Sequence, residues 1–406
     1  MNSKKLFLLI LLLIFSVGSA KNPPYVILIS FDGFRWDYLN RNITPNIDKM
    51  ISEGVRALSL KPAFPTKTFP NHISIITGMY TEHHGIIANV FTNPETGKEY
   101  RLGDTVSTRE SEWYKGEAFW ETAQKHGIKT ASYFWPGTEI TDSSRKSTYR
   151  KFYDHFKPYR ERIDTVIQWL SLPAGKRPYF ISVYFHDTDT YGHDFGPNSP
   201  EINNSIMRLD LLVGYLHELL NKINLSDSIN VIITSDHGMT EVSPDRVINI
   251  ESLLTEYNVL IEDHGPVMRI TPQKNDIASV YNLLKSTHDH YSVYLKENMP
   301  EYYHYSESSL IPPVIVIADL GWSLINDGIS ENLKSWKYKG DHGYDNNTTD
   351  MQGVFIAEGP AFKNNYETGT LLNIDIYPLL CKIYNLPQAD NIDGRLERIE
   401  YILNEK

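Results

Sequence analysis

Three short, almost wholly apolar runs each lead into a carboxylate. YVILISF (25–31) precedes Asp32, YFISVYF (179–185) leads to Asp189, and VIIT (231–234) leads to Asp236. Runs this short, without polar alternation, read as strands buried on both faces, which is how a parallel sheet covered by helices is written in sequence. Helical patterns lie between them. Ile163, Val166, Ile167 and Leu170 fall at helical spacing over 159–170, and Ile202, Ile206, Leu209, Val213, Leu216, Leu220 and Ile223 form one stripe over 200–223. Further helices are expected over 44–54, over 71–77 (starting just after Pro70), over 117–126 and over 373–383, with strands over 129–135 and 353–357. Strands alternating with helices predict an α/β fold, a parallel sheet sandwiched between helices. Residues 241–338 break the alternation. Short strands at 268–271, 292–295 and 313–318 with a helix at 276–286 predict a small inserted α+β lid, after which His342 returns the chain to the main body.

The first twenty residues stand apart from this plan. Lys4 and Lys5, the apolar run Leu6–Phe15 and the small residues Gly18-Ser19-Ala20 form a secretory signal pattern. Ten apolar residues fall short of the ~20 that span a bilayer, and no later segment is long or apolar enough to do so. The remaining chain, 21–406, is expected to be one exported catalytic domain, periplasmic or secreted. The formal charge of −11 becomes about −13 without Lys4 and Lys5. An acidic chain without basic runs argues against a nucleic-acid scaffold or an anionic membrane as partner. An anionic small molecule would need concentrated local positive charge, which bound metal ions supply. Cys381 is the only cysteine, which fits a bacterial envelope better than an animal extracellular protein. Five N-x-S/T sequences, beginning at Asn42, Asn203, Asn224, Asn346 and Asn347, carry little weight in so Asn-rich a chain.

In an open α/β sheet, ligands bind beyond the carboxyl ends of the strands. Asp32, Asp189 and Asp236 all fall there, and packed carboxylates repel one another unless a cation neutralises them. His193 lies four residues after Asp189, His237 directly follows Asp236, and His342 sits in GDHGYDN. Carboxylate oxygen with imidazole nitrogen suits zinc. Two ions ~4 Å apart stabilise both the entering and the leaving oxygen of an in-line displacement. Thr68, in PTKTFPNH just before an expected helix start, offers a hydroxyl that an ion converts to a nucleophile, beside backbone N–H groups that favour phosphate. Asn89 could donate its amide N–H to a phosphoryl oxygen. Asp187, His186, His72, His84, Asp263 and His264 read as structural or solvated groups.

At these residues the chain resembles the nucleotide pyrophosphatase/phosphodiesterases of the alkaline phosphatase superfamily. The resemblance runs from SFDGFR to GDHGYDN, with PTKTFPNHISIITGMYTEHHGI its most specific piece and EWYKGEAFWETA, YFWPGTE and DTYGHDFGP adding to it. It implies an alkaline-phosphatase-type fold and two zinc ions. One would be held by Asp189, His193 and His342. The other would be held by Asp32, Asp236 and His237, with Thr68 as bound nucleophile. It further implies that Asn89 contacts phosphate and that Phe69, Trp135, Pro136 and Tyr153 line a nucleoside pocket. The chain departs from the family in carrying Glu139 after WPGT, where nucleotide-cleaving members have Asp, and in lacking a clear counterpart of an upstream lysine, with Arg109 nearby. The expected activity is hydrolysis of nucleotide pyrophosphate or phosphodiester bonds to nucleoside 5′-monophosphate. A phospholipid or choline-phosphodiester hydrolase is the alternative within the family, and a non-catalytic binding protein the alternative outside it. The sequence leaves oligomeric state open.

Overall fold

The computed structural model describes residues 23–405, apart from 224, 226, 227, 288, 334 and 335; the expected signal at 1–20 lies outside the described residues. The central sheet is built from β1 (Tyr25–Phe31), β2 (Val55–Ala57), β3 (Thr130–Tyr133), β4 (Tyr149–Lys151), β5 (Phe180–Phe185), β6 (Ile229–Thr234), and two later strands at Phe355–Glu358 and Tyr366–Thr368. β1 is central and runs parallel to both β5 and β6, with Ser30 opposite Tyr184 on one side and Thr234 on the other.

Side chains alternate across this sheet with period two. Ile27, Ile29, Phe31, Ile181, Val183, Val231 and Ile233 face one layer of helices: α1 (Pro45–Ser52), α4 (Tyr159–Leu170) and α6 (Pro200–Lys222). Val26, Leu28, Phe180 and Ile232 face the other layer: α2 (Thr68–Thr77), α3 (Phe119–Lys125) and α8 (Ile376–Tyr384). A strand buried on both faces contributes ~1.5–3 kcal/mol per large aliphatic side chain, which explains why these runs carry no polar alternation. Cys381 lies within the second layer, and burial pushes its thiol up to about 12.

The sheet is mixed rather than parallel. Phe355–Glu358 runs antiparallel to both β6 and β2. The chain reaches this strand from the carboxyl edge, where His342 lies, and turns straight back beside β6. Gly238 and Met239 donate to the carbonyls of Met351 and Asp350 in that turn. A parallel strand would need a long crossover that this short connection does not supply.

Between β6 and that strand the chain departs and returns through one short ladder, Thr240 opposite Asp341 and Glu241 opposite Gly340. The excursion forms a four-stranded antiparallel sheet of β7 (Val259–Glu262), β8 (Val267–Pro272), β9 (Tyr291–Leu295) and β10 (Val314–Ala318), in the order β7-β8-β10-β9. β7 is an edge strand that is not among the expected strands. Met268, Ile270, Val314 and Val316 pack with Val280 and Leu284 of α7 (Ile277–Ser286). Val267, Ile315 and Ile317 pack against Phe64, Ile73 and Ile86 of the main body. Buried Arg269 ties the two parts together, donating to the carbonyl of Val90 and lying 3.6 Å from Asp263.

Candidate metal centre

Register aligns the first two carboxylates. Ser30 pairs with Thr234, so Asp32 and Asp236 each lie two residues beyond a paired position on neighbouring strands. Asp189 comes from the first turn of α5 (Asp187–Phe195), immediately after β5. That helix approaches closely only because Gly33 has no side chain: its φ is 65°, and a Cβ would lie 2.9 Å from the Asp189 Cα. His193 follows one helical turn after Asp189. His342 arrives on the return strand of the Thr240–Asp341 ladder, beside His237.

The result is one cluster with two lobes. His237 Nε2 lies 3.2 Å from Asp32 Oδ1 and 3.1 Å from Asp236 Oδ2. Asp189 Oδ1 lies 3.3 Å from His193 Nε2 and 3.4 Å from His342 Nε2. Ligand atoms of Asp32, Asp236 and His237 lie within 4.8 Å of one another, as do those of Asp189, His237 and His342. A third such group, His193, Asp341 and His342, includes a carboxylate that sequence reading passed over, although Asp341-His342 repeats the Asp236-His237 doublet.

Two observations fit this cluster to cations. First, Asp32 Oδ1, Asp236 Oδ2 and Asp189 Oδ1 are buried and accept no hydrogen bond among the described residues. An uncompensated buried acceptor costs about 1–3 kcal/mol, more when charged, and these are the oxygens facing the imidazoles. Second, each imidazole is anchored by its other nitrogen. His237 Nδ1 donates to Gly238 O at 2.9 Å, His342 Nδ1 to Thr66 O at 2.7 Å, and His193 Nδ1 to Gly340 O at 2.8 Å. A carbonyl only accepts, so Nδ1 carries hydrogen and Nε2 presents its lone pair inward, the tautomer a metal ligand needs.

Electrostatics agree. Burial, then the Asp236 charge, raises the Asp32 carboxyl above its usual range. Burial works against charge on His237, yet Asp236 and Asp32 outweigh it and hold the imidazole well above its ordinary value. His342 is driven well below it by burial and by His237, Lys67 and His193. The cluster demands positive charge, and a proton on His237 is the least of the cations that could supply it.

Thr68 is the first residue of α2, with Lys67 in the capping position, so the helix starts earlier than Pro70 suggests and Thr68 is not its cap. Pro70 is accommodated because its missing N–H falls in the first turn. The Thr68 hydroxyl, free of a capping bond, lies 3.3 Å from His237 Nε2. Its backbone is held from beneath: His72 Nδ1 donates to Thr68 O at 2.8 Å, while His72 Nε2 accepts from Ser30 Oγ at 2.8 Å. Burial lowers His72 to about 4, so it is neutral, in keeping with a structural part. His84 is likewise buried and bonds Ser74 Oγ at 3.0 Å.

Asn89 Oδ1 accepts from the Phe69 N–H at 3.2 Å. That contact fixes the amide orientation and leaves the NH2 group as donor beside Thr68. Phe69 is half-buried and Tyr153 exposed. Trp135 and Pro136 do not present themselves in the same way. Both are buried, and the Trp135 indole packs edge-on against His72 and donates to its carbonyl. Asp187 is used by Tyr159, Ser205 and Arg208, and His186 is buried and pushed down to about 3. Asp263 pairs with Arg269 as part of the antiparallel unit. Sequence reading missed Tyr184, whose hydroxyl donates to Asp32 Oδ2, and Lys67, whose ammonium lies 3.6 Å from Asp341. Lys67 neighbours Thr68, but nothing local marks Tyr184, since its role depends on strand pairing.

The family model for type I phosphodiesterase/nucleotide pyrophosphatase matches residues 26–345. The chain belongs to this family. It is 36% identical over 406 residues to the Xenopus laevis bis(5′-adenosyl)-triphosphatase enpp4, covering 98% of this chain and 87% of that protein. It is 35% identical to human ectonucleotide pyrophosphatase/phosphodiesterase family member 5, covering 93% and 78% of the two chains. The solved structure of human ENPP5 superposes with a TM-score of 0.88 at 34% identity, over 94% of this chain and 100% of that one. An inactive threonine-to-alanine variant of murine ENPP5 in complex with AMP superposes equally well, at 0.88 and 32% identity. The fold is therefore of alkaline phosphatase type, and the cluster sits in an enzyme family that hydrolyses phosphodiester and pyrophosphate bonds.

Proposed function

We propose that this protein is an exported di-zinc hydrolase of nucleotide pyrophosphates and phosphodiesters, acting through a phospho-threonine at Thr68 and releasing nucleoside 5′-monophosphate. The carrying observation is the Thr68 hydroxyl, 3.3 Å from His237 Nε2 at the edge of a cluster in which Asp32 Oδ1, Asp236 Oδ2 and Asp189 Oδ1 accept no hydrogen bond among the described residues. Asp32, Asp236 and His237 would hold one ion together with Thr68, and Asp189, His193 and His342 the other. When bound, the ions lower the pKa of the threonine hydroxyl and neutralise charge on the entering and leaving oxygens.

The chain's own groups supply the rest. His72 and the start of α2 fix the Thr68 backbone, so the oxygen attacks phosphorus from one direction as the bond to the leaving oxygen breaks. The Asn89 amide meets the charge that grows on the phosphoryl group. Water then cleaves phospho-Thr68 and restores the hydroxyl. The N-terminus of a ten-residue helix favours the phosphate during both steps. The Xenopus relative, named as a bis(5′-adenosyl)-triphosphatase, and the AMP complex of murine ENPP5 support a nucleotide substrate. Export rests on the pattern of residues 1–20.

The deciding experiment compares p-nitrophenyl thymidine monophosphate with p-nitrophenyl phosphorylcholine on purified protein, with metal analysis of the same sample. Preference for the nucleotide ester and two zinc per chain are expected. Preference for phosphorylcholine would replace the nucleotide reading with the choline-phosphodiester one.

A further inference from the structure

Glu139, one of two positions where the sequence differs from the pattern it resembles, does not stand free. Its Oε2 accepts from Arg109 Nε at 3.0 Å and from Arg109 Nη2 at 2.6 Å. Its Oε1 accepts from the backbone N–H of Tyr153. Three of a carboxylate's roughly four acceptor positions are therefore used. The neighbouring Phe152 is gripped as well, with the Arg109 and Arg150 guanidinium carbons each 5.0 Å from its ring centre. Arg109 is itself fastened, its carbonyl accepting from Thr141 N–H at 2.9 Å.

Tyr153, the residue so held, is 47% exposed yet lies against the metal centre. Its ring centre is 6.2 Å from that of Tyr184, whose hydroxyl binds Asp32, and 5.3 Å from that of Phe134. A half-exposed aromatic ring, steadied by neighbouring rings beside a phosphate-cleaving centre, can serve as a stacking platform.

We infer that Glu139 is a positioning residue. It fixes the Tyr153 ring at the mouth of the metal centre, and its carboxylate, held by Arg109 and the Tyr153 N–H, does not read the nucleobase. Recognition at this wall is then by stacking, which every base supports, and discrimination among bases here is weak. This rests on the nucleotide reading above.

The test uses p-nitrophenyl 5′-esters of the common nucleosides together with base-free p-nitrophenyl methyl phosphate. For Glu139→Ala, KM for every nucleotide ester is expected to rise about tenfold, the scale of a misplaced stacking ring. The order among bases and kcat should stay unchanged, and the base-free ester should be unaffected. In a Tyr153→Ala background, Glu139→Ala should add little, because it acts through that ring. Glu139→Gln keeps one oxygen for the Tyr153 N–H but turns an NH2 donor on Arg109, so its KM should fall between those of the unmodified protein and Glu139→Ala. A changed order among bases in Glu139→Ala would overturn the inference, since the carboxylate would then touch the base. So would an equal loss on the base-free ester. Failure of the unmodified protein to cleave any nucleotide ester would instead overturn the nucleotide reading itself.

Discussion

His237 and His342 stack with ring centres 3.5 Å apart and planes inclined by 10°. One follows β6 directly; the other returns only after the whole antiparallel unit. Each ring is pinned by Nδ1 to a different backbone carbonyl, so both Nε2 lone pairs face one space from adjacent levels. This stack joins the two lobes of the centre, and the short ladder from Thr240 to Asp341 sets its spacing.

Thr68→Ala should retain the bound metal and lose turnover by at least about 10³-fold, because a nucleophile acts only in the transition state. Metal analysis beside hydrolysis of p-nitrophenyl thymidine monophosphate checks this. Retention of near-normal turnover would remove Thr68 from the mechanism.

Tyr184→Phe removes the O–H that orients Asp32 while leaving the packed ring in place. Loss of such an outer hydrogen bond costs roughly 10–100-fold in metal affinity. Chelator competition should show one ion leaving more readily than in the unmodified protein, with the melting temperature of the metal-free protein little changed. Equal loss of both ions would mean that Tyr184 supports the fold rather than one ligand.

Gly33→Ala forces a side chain into the left-handed region at φ 65° and within 2.9 Å of the Asp189 Cα. Backbone strain plus the clash predicts a loss of about 2 kcal/mol or more. The shift of Asp189 should also weaken binding of the ion proposed to be held by Asp189, His193 and His342. Thermal melts and metal stoichiometry read these separately, and an unchanged metal content at reduced stability would show that α5 yields without moving the carboxylate.

His83 bonds Asp393 at 2.9 Å and Glu307 at 3.2 Å, joining the segment after α2 to the chain end and to the antiparallel unit. The Asp393 hydrogen bond, against the effect of burial, raises the imidazole to about 9. A folded-state pKa above the unfolded value of about 6.5 means that protonated His83 stabilises the fold fully below pH 6.5 and progressively less up to pH 9. His83→Ala should therefore melt below the unmodified protein at pH 6, and the gap should close by pH 10. A gap independent of pH would assign the contact to packing instead of charge.

Much of the layered core was legible in the chain. The helix over 159–170 has the expected bounds, and 200–222 falls one residue short of its stripe. Buried strands and one-sided helices write their surroundings into their spacing, since each side chain reports what it faces. One boundary shifted for a local reason: Pro70 fits inside a first turn.

By itself the sequence determined which residue types could bind a cation and roughly where each would leave the sheet, because a strand's apolar run and the carboxylate after it are neighbours in the chain. Tertiary structure alone decided that Asp32 and Asp236 share a register, that Phe355–Glu358 runs antiparallel, that Trp135 turns inward, and that Tyr184 and Asp341 join the centre. Those facts depend on pairings between segments distant along the chain. A chain encodes such pairings only through the summed burial of both partners, never in the spacing of either one.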